Sequence, residues 1–185
     1  MIRDSEFIST PNVPGPTKEE VRCLVLCKSQ IKKEDIVVDV GCGTGGLTLG
    51  FAKIAKKVYS IDKNPEAIEI TQKNLIKHEL IHKVKLIGSD AVSAIVDMEK
   101  FDVLMIGGSG GDLHEIIHLS IPKLKKGGRI IVTAILMETK MEAIQTFNEL
   151  SIGFEIIEVN VSKGKIIDRG TMMFAQNPIA IIYTI

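Results

Sequence analysis

Tryptophan is absent, tyrosine occurs twice, and aromatic residues make up 4% of the 185-residue chain. Single-stranded nucleic acid is held by basic grooves with aromatic stacking platforms. Here lysine plus arginine (23) equals aspartate plus glutamate (23), the net charge is zero, and no nucleic-acid partner is expected. Arginine is scarce as well, with Arg3, Arg22, Arg129 and Arg169 the whole complement. The three cysteines (Cys23, Cys27, Cys42) are an odd number without paired metal-ligand spacing, which excludes a disulfide framework and predicts free thiols in a reducing cytoplasm. No apolar run nears the ~18 residues of a membrane span. The polar start Met1-Ile2-Arg3-Asp4-Ser5-Glu6 lacks the apolar stretch of a signal peptide. A cytoplasmic protein without a membrane partner is expected.

What is present is a substantial core. Hydrophobic residues reach 45%, and a chain of this length buries roughly 70% of its unfolded surface. We expect one domain over residues 1–185, in three parts. Residues 1–16 form an extended arm that ends in Pro11-Asn12-Val13-Pro14-Gly15-Pro16. Residues 17–150 form a β/α core, opened by Thr17-Lys18-Glu19-Glu20 as a capping box for a helix to about Ser29. In that core, short β-branched runs (Ile36–Val40, Val58–Ile61, Val84–Ile87, Val103–Ile106, Arg129–Ile135) alternate with amphipathic stretches, the pattern of a parallel sheet with helices on both faces. In the third part, residues 151–185, Phe154–Val161 and Ile179–Ile185 are predicted as an antiparallel strand pair, joined by a long polar connection.

Half of the sixteen glycines serve two loops, four within Gly41–Gly46 and four within Gly107–Gly111. The first loop follows a strand and precedes a helix, where missing Cβ atoms let backbone approach a ligand. Gly41-x-Gly43-x-x-Gly46 satisfies a dinucleotide fingerprint, and Asp62, 21 residues after Gly41, is placed to accept from ribose hydroxyls. A pyrophosphate, however, needs positive dipoles, whereas Asp39 puts a carboxylate beside the loop, so a cationic adenosine ligand fits better. S-adenosyl-L-methionine carries an ammonium and a sulfonium. Asp62 and Asp90 close the next two strands; Asp90 has a second reading as a helix N-cap and Asp39 as a turn acid.

Val38-Asp39-Val40-Gly41-Cys42-Gly43-Thr44-Gly45 resembles motif I of class I S-adenosylmethionine-dependent methyltransferases, which implies a Rossmann-like α/β fold with a mostly parallel seven-stranded sheet. The segments Val13-Pro14-Gly15-Pro16-Thr17, Ile61-Asp62-Lys63-Asn64-Pro65-Glu66-Ala67, Gly107-Gly108-Ser109-Gly110-Gly111 and Asp168-Arg169-Gly170-Thr171-Met172-Met173 resemble the CbiT family over nearly the whole chain. That resemblance implies cobalt-precorrin-6B C(15)-methyltransferase (decarboxylating) activity in anaerobic cobalamin synthesis, a tetrapyrrole substrate and a homotetramer. It also implies cofactor contacts from Thr17, the loop Gly41, Cys42, Gly43, Thr44 and Gly45, Asp62 and Ala91. An RNA methyltransferase or a non-catalytic adenosine-cofactor-binding subunit would share these motifs.

The second glycine loop lacks the Asn or Asp followed by Pro-Pro with which amine methylators hold their acceptor. Gly108 and Gly110 instead leave room for a broad, flat substrate, or form a plain connection to the next helix. Carboxylates on such a substrate call for guanidinium groups, and Arg22 and Arg169, which lie outside the minimal fold, are the expected contacts, with surface ion pairing as their other reading. No catalytic side chain is assigned. No metal site is expected, because His114 and His118, four apart on a helix, have no third ligand nearby and Glu115 points elsewhere, and with His78 and His82 they read as solvated histidines.

Overall fold

Ile36-Val37-Val38-Asp39-Val40 is apolar at successive positions, as a strand covered on both faces must be, and it becomes the central strand β1 (Ile36–Val40). The computed structural model describes residues 2–185. Five strands follow one another in β/α steps: β1, β2 (Lys57–Asp62), β3 (Val84–Gly88), β4 (Phe101–Ile106) and β5 (Leu124–Ala134). They pair in parallel. The chain then adds β6 (Phe154–Val159), β7 (Ser162–Ile167), β8 (Gly170–Ala175) and β9 (Ile179–Thr184). The sheet runs β3-β2-β1-β4-β5-β9-β6, with β9 antiparallel to both β5 and β6.

Among the described residues six α-helices cover it: α1 (Glu19–Lys28), α2 (Gly46–Ala52), α3 (Pro65–Lys77), α4 (Ala91–Val96), α5 (Leu113–Ser120) and α6 (Met137–Glu149). Alternation along β1 sorts the two cores. Val38 and Val40 pack with Leu113, Ile116, Ile117 of α5 and Phe147 of α6. Val37 packs with Val21 and Val25 of α1 and Phe51 of α2 on the other face. This is the architecture that the resemblance to class I methyltransferases implies, a mostly parallel seven-stranded sheet closed by an antiparallel C-terminal strand pair. No helix among the described residues is long and apolar enough to cross a membrane.

Three features differ from expectation. The Thr17 capping box does not form: α1 starts at Glu19 behind an extended Lys18 that makes no side-chain cap, and the Thr17 carbonyl instead accepts from Arg22. The long connection after β6 is not featureless, because β7 and β8 pair as a separate antiparallel hairpin. Its side chains alternate poorly in polarity, and Gly164 and Gly170 obscure the strand pattern, so the period-two signal is weak. Thirdly, the arm, of which Met1 lies outside the described residues, is not extended throughout: Asp4–Glu6 makes a short 3-10 turn, and the arm packs against the body. Ile2 and Phe7 pack with Leu49 and Leu75, and Val13 packs with Ala67 and Ile70 of α3.

Candidate cofactor and substrate cleft

Strands β2 and β3 extend the sheet to one side of β1, and β4 and β5 extend it to the other, so the loops leaving β1 and β4 diverge and open a crevice at their C-terminal ends. Backbone stitches set its floor: Gly107 and Gly108 both donate to the Val40 carbonyl (2.8 and 3.3 Å), while Gly41 and Cys42 donate to the Ile61 carbonyl (2.9 and 3.2 Å). The two glycine loops are pressed together. A Cβ on Gly41, whose φ is +75°, would lie 2.5 Å from the Gly108 carbonyl oxygen, which no side chain tolerates.

The cleft above this floor has a volume of about 1040 Å³. Small-molecule sites run to ~1,000 Å³ at the upper end, so the space exceeds what one nucleoside-sized ligand fills and leaves room for a second. Thr17, Asp39, Gly41, Cys42, Gly43, Thr44, Asp62, Asp90, Ala91, Gly108 and Gly110 all line it. Three predicted residues do not. Gly45 (φ +83°) faces away, where a Cβ would meet Leu49 and Thr71 at 3.0 Å; its task is the tight entry into α2.

Arg22 and Arg169 are the other two. Arg22 is buried on α1, where its guanidinium bonds Asp4 (2.7 Å), the Ile2 carbonyl (2.5 Å) and the Thr17 carbonyl, and stacks over Phe7. With three of its five N–H donors committed inside the protein, 1% exposure and no place on the cleft lining, Arg22 does not face a substrate carboxylate, and the expectation is corrected: it ties the arm to the body. Arg169 lies exposed in the turn joining β7 to β8, away from the cleft of its own chain.

Asp39 is fully buried at the end of β1, on the α2 side of the sheet, where its carboxylate accepts from Thr48 Oγ1 at 2.5 Å. Burial raises its pKa from the usual 3.8 to about 6; Thr48 opposes the rise and the neighbouring Asp62 charge adds to it. A buried anion held at that energetic disadvantage suits a cationic ligand. Burial likewise pushes the Cys42 thiol up to about 12, with Asp39 contributing, which disfavours a thiolate on this cleft-lining residue.

Asp62 accepts from the Gly43 and Asn64 amides (3.0 and 2.9 Å) and so shapes the first loop while keeping lone pairs free for a ligand. Asp90 caps α4 through Ser93 N (2.8 Å), a bond that lowers its pKa, and its second reading as an N-cap therefore describes its contacts in this structure. Thr44 Oγ1, on the cleft wall, is buried with no hydrogen-bond partner among the described residues. An unpaired buried hydroxyl costs ~1 to 3 kcal/mol, a cost that a polar ligand group would remove. The buried Asp39, the unpaired Thr44 and the side-chain-free floor together fit S-adenosylmethionine.

Some participants went unseen in the sequence. Thr71 and Asn74, one turn apart on α3, are buried; Thr71 Oγ1 donates to the Gly43 carbonyl (2.9 Å) and Asn74 Nδ2 to the Thr44 carbonyl (2.9 Å). Asn74 also exchanges two hydrogen bonds with the Ile8 backbone in the arm (2.7 and 2.9 Å). Their signal was the polar interruption of α3's apolar stripe at Thr71 and Asn74, between Ile70 and Leu75. Lys63, next to Asp62, reaches across the opening so that its Nζ stands 2.9 Å from where a Gly110 Cβ would be. Apart from Lys18 it is the cleft's only lysine or arginine among the described residues, against Asp39, Asp62, Asp90 and Asp112.

A family model described as the precorrin methyltransferase domain matches residues 15–184. The chain belongs to the precorrin methyltransferase family. A relative from Methanothermobacter thermautotrophicus, named cobalt-precorrin-6B C(15)-methyltransferase (decarboxylating), is 52% identical over 184 residues, spanning 100% of this chain and 96% of that protein. A crystal structure from Methanobacterium thermoautotrophicum, described as precorrin 8W decarboxylase, superposes with a TM-score of 0.97 at 52% identity, covering 100% of this chain and 99% of that one. Another, of precorrin-6y C5,15-methyltransferase from Geobacter metallireducens, has a TM-score of 0.91 at 28% identity and covers 99% and 95% of the two chains. The match to the precorrin methyltransferase domain takes in both glycine loops, the end of the arm from Gly15 and the β7–β8 hairpin.

Proposed function

We propose that this chain is a cobalt-precorrin-6B C(15)-methyltransferase (decarboxylating), which moves a methyl group from S-adenosyl-L-methionine to a meso carbon of the macrocycle and releases a ring acetate as carbon dioxide. The observation that carries the reading is 52% identity over the entire chain to a relative named for that activity. When bound, the cofactor supplies an activated methyl on a sulfonium. Asp39 then provides the buried negative charge facing that cation, Asp62 accepts from the ribose, and Thr17, Gly43, Thr44, Asp90 and Ala91 close the pocket around it. An acid or base is not required for the transfer; alignment alone contributes ~7 to 11 kcal/mol.

The Gly107–Gly111 loop and the exposed Leu136, both on the cleft lining, give a flat macrocycle an apolar slot. With Arg22 occupied by the arm, Lys63 is the substrate-side cation that meets a carboxylate, because it lies over Gly110 with no carboxylate within 4 Å among the ion pairs of the described residues. For decarboxylation, the conjugated imines of the macrocycle accept the electron pair left behind, and the protein orients the acetate and excludes water. We place the enzyme in the cytoplasm, a reading supported by free Cys23 and Cys27 exposed on α1.

A homotetramer completes the proposal. The β7–β8 hairpin exposes Ile166 (84%), Met173 (61%), Met172 (46%) and Phe174 (45%), and an isolated two-stranded hairpin is marginal in water. Pairing of hairpins between copies would cover this surface, and any carboxylate that Arg169 clamps then belongs to another copy's cleft. Incubation with S-adenosylmethionine and cobalt-precorrin-6B, followed by mass spectrometry, tests the reaction. Methyl gain with loss of carbon dioxide is expected; binding of the cofactor without either change would leave only the cofactor site standing.

A further inference from the structure

On the face of the molecule formed by α5 and α6, His114 and His118 stand one turn apart with ring centroids 4.2 Å from each other. Glu149, at the end of α6, brings Oε2 to 3.1 Å from His114 Nε2. One ligand atom from each of the three lies within 4.8 Å of the others. The sequence offered only the histidine pair; the third donor comes from a helix that begins 19 residues beyond His118 and returns alongside.

We infer that His114, His118 and Glu149 form a surface site for one divalent transition-metal ion. Metal–nitrogen and metal–oxygen bonds of ~2.0 to 2.2 Å put tetrahedral ligands about 3.4 Å apart, so small rotations of exposed side chains close the present arrangement around an ion. Two imidazoles and one carboxylate select zinc, cobalt, nickel or copper over magnesium and calcium, which favour all-oxygen shells. All three residues are exposed, and water would fill the remaining positions. Nothing in the proposed methyl transfer passes through this site.

Its consequence is mechanical. Helix α5 follows the Gly107–Gly111 loop, and α6 starts directly after Leu136, which also lines the cleft. An existing contact from the Glu142 side chain to the His114 amide (3.2 Å) already registers the two helices. A bound ion would fasten together the two helices that follow these cleft-lining segments.

Isothermal titration of the chelator-treated full-length protein with zinc chloride tests the site. One ion per chain is expected, with a flat trace for magnesium. His118→Ala and Glu149→Gln should each weaken zinc binding at least tenfold, while His82→Ala, a histidine elsewhere on the surface, should leave it unchanged. Thermal unfolding should show an upward Tm shift with zinc in the wild type and a smaller one in the two site variants. Absence of saturable zinc binding by the wild type would overturn the inference, and so would equal affinity in His118→Ala and Glu149→Gln. Both variants alter exposed side chains, so a folded circular-dichroism signature is expected for each.

Discussion

Asp39 sets the cofactor cleft against the stability of the fold, and the conflict can be measured. Its folded pKa of about 6 lies above the ordinary 3.8. Between those values the native state therefore holds more protons than the unfolded chain, and stability must fall as pH rises through that window. The penalty is complete by about pH 7, and the gap between 3.8 and 6 corresponds to ~3 kcal/mol. Asp39→Asn keeps an acceptor for Thr48 Oγ1 and removes the buried charge. Without cofactor, this variant should match the wild type near pH 4 and exceed it by up to ~3 kcal/mol at pH 7.5 in urea unfolding. Cofactor affinity should move the other way: a cation binds the ionised carboxylate, so wild-type affinity should climb from pH 5 to 7, with proton release visible in buffers of different ionisation enthalpy. The asparagine variant should lose that climb. A variant less stable than the wild type at pH 7.5, or a stability gap that ignores pH, would refute the argument.

Gly41→Ala should lower Tm and abolish cofactor binding by calorimetry, because it adds a Cβ 2.5 Å from the Gly108 carbonyl to the ~1 to 2 kcal/mol of a left-handed backbone. Gly43→Ala, whose Cβ would meet only Pro14 O at 3.6 Å, should lose little beyond the backbone term. Arg22→Met should cost ~3 kcal/mol, near the low end for breaking a buried pair, since Asp4 retains 22% side-chain exposure. Limited proteolysis of that variant should cut first in the arm; cleavage at wild-type rates would show that the arm is held by its apolar contacts alone. Lys63→Ala should raise the KM for the tetrapyrrole severalfold with cofactor affinity unchanged, and an unaltered KM would remove Lys63 from the substrate side.

The parallel sheet, both glycine loops and the strand-end acids were legible because each is a local pattern: β-branched runs, clustered glycines, an aspartate where a strand stops. Boundaries shifted where glycine blurred the signal. Strand β5 begins at Leu124, through Gly127 and Gly128, rather than at Arg129. What stayed hidden depends on distance along the chain. The contacts of Arg22 with Ile2 and Asp4 span 20 and 18 residues, and those of Asn74 with Ile8 span 66. Nothing local separates an arginine clamping a substrate from one clamping its own backbone, and burial alone decides between them.

That decision reshapes substrate recognition. A polycarboxylate must enter a cleft lined by four aspartates and two lysines, which is electrostatically unfavourable unless the acids are already neutralised. Backbone amides solvate the carboxylates of Asp62 and Asp90 without removing their charge, whereas Asp39 holds a proton or faces a cation depending on pH and occupancy. Cofactor bound first would therefore cancel the buried charge that the substrate would otherwise meet. On this argument the two ligands bind with positive coupling, and by linkage each tightens the other by the same factor. Initial-rate patterns and calorimetry with the demethylated cofactor, which lacks the sulfonium charge, check this: the product should favour the tetrapyrrole less than S-adenosylmethionine does. Equal tetrapyrrole affinity in the presence of either cofactor form would sever the link between the sulfonium and substrate entry.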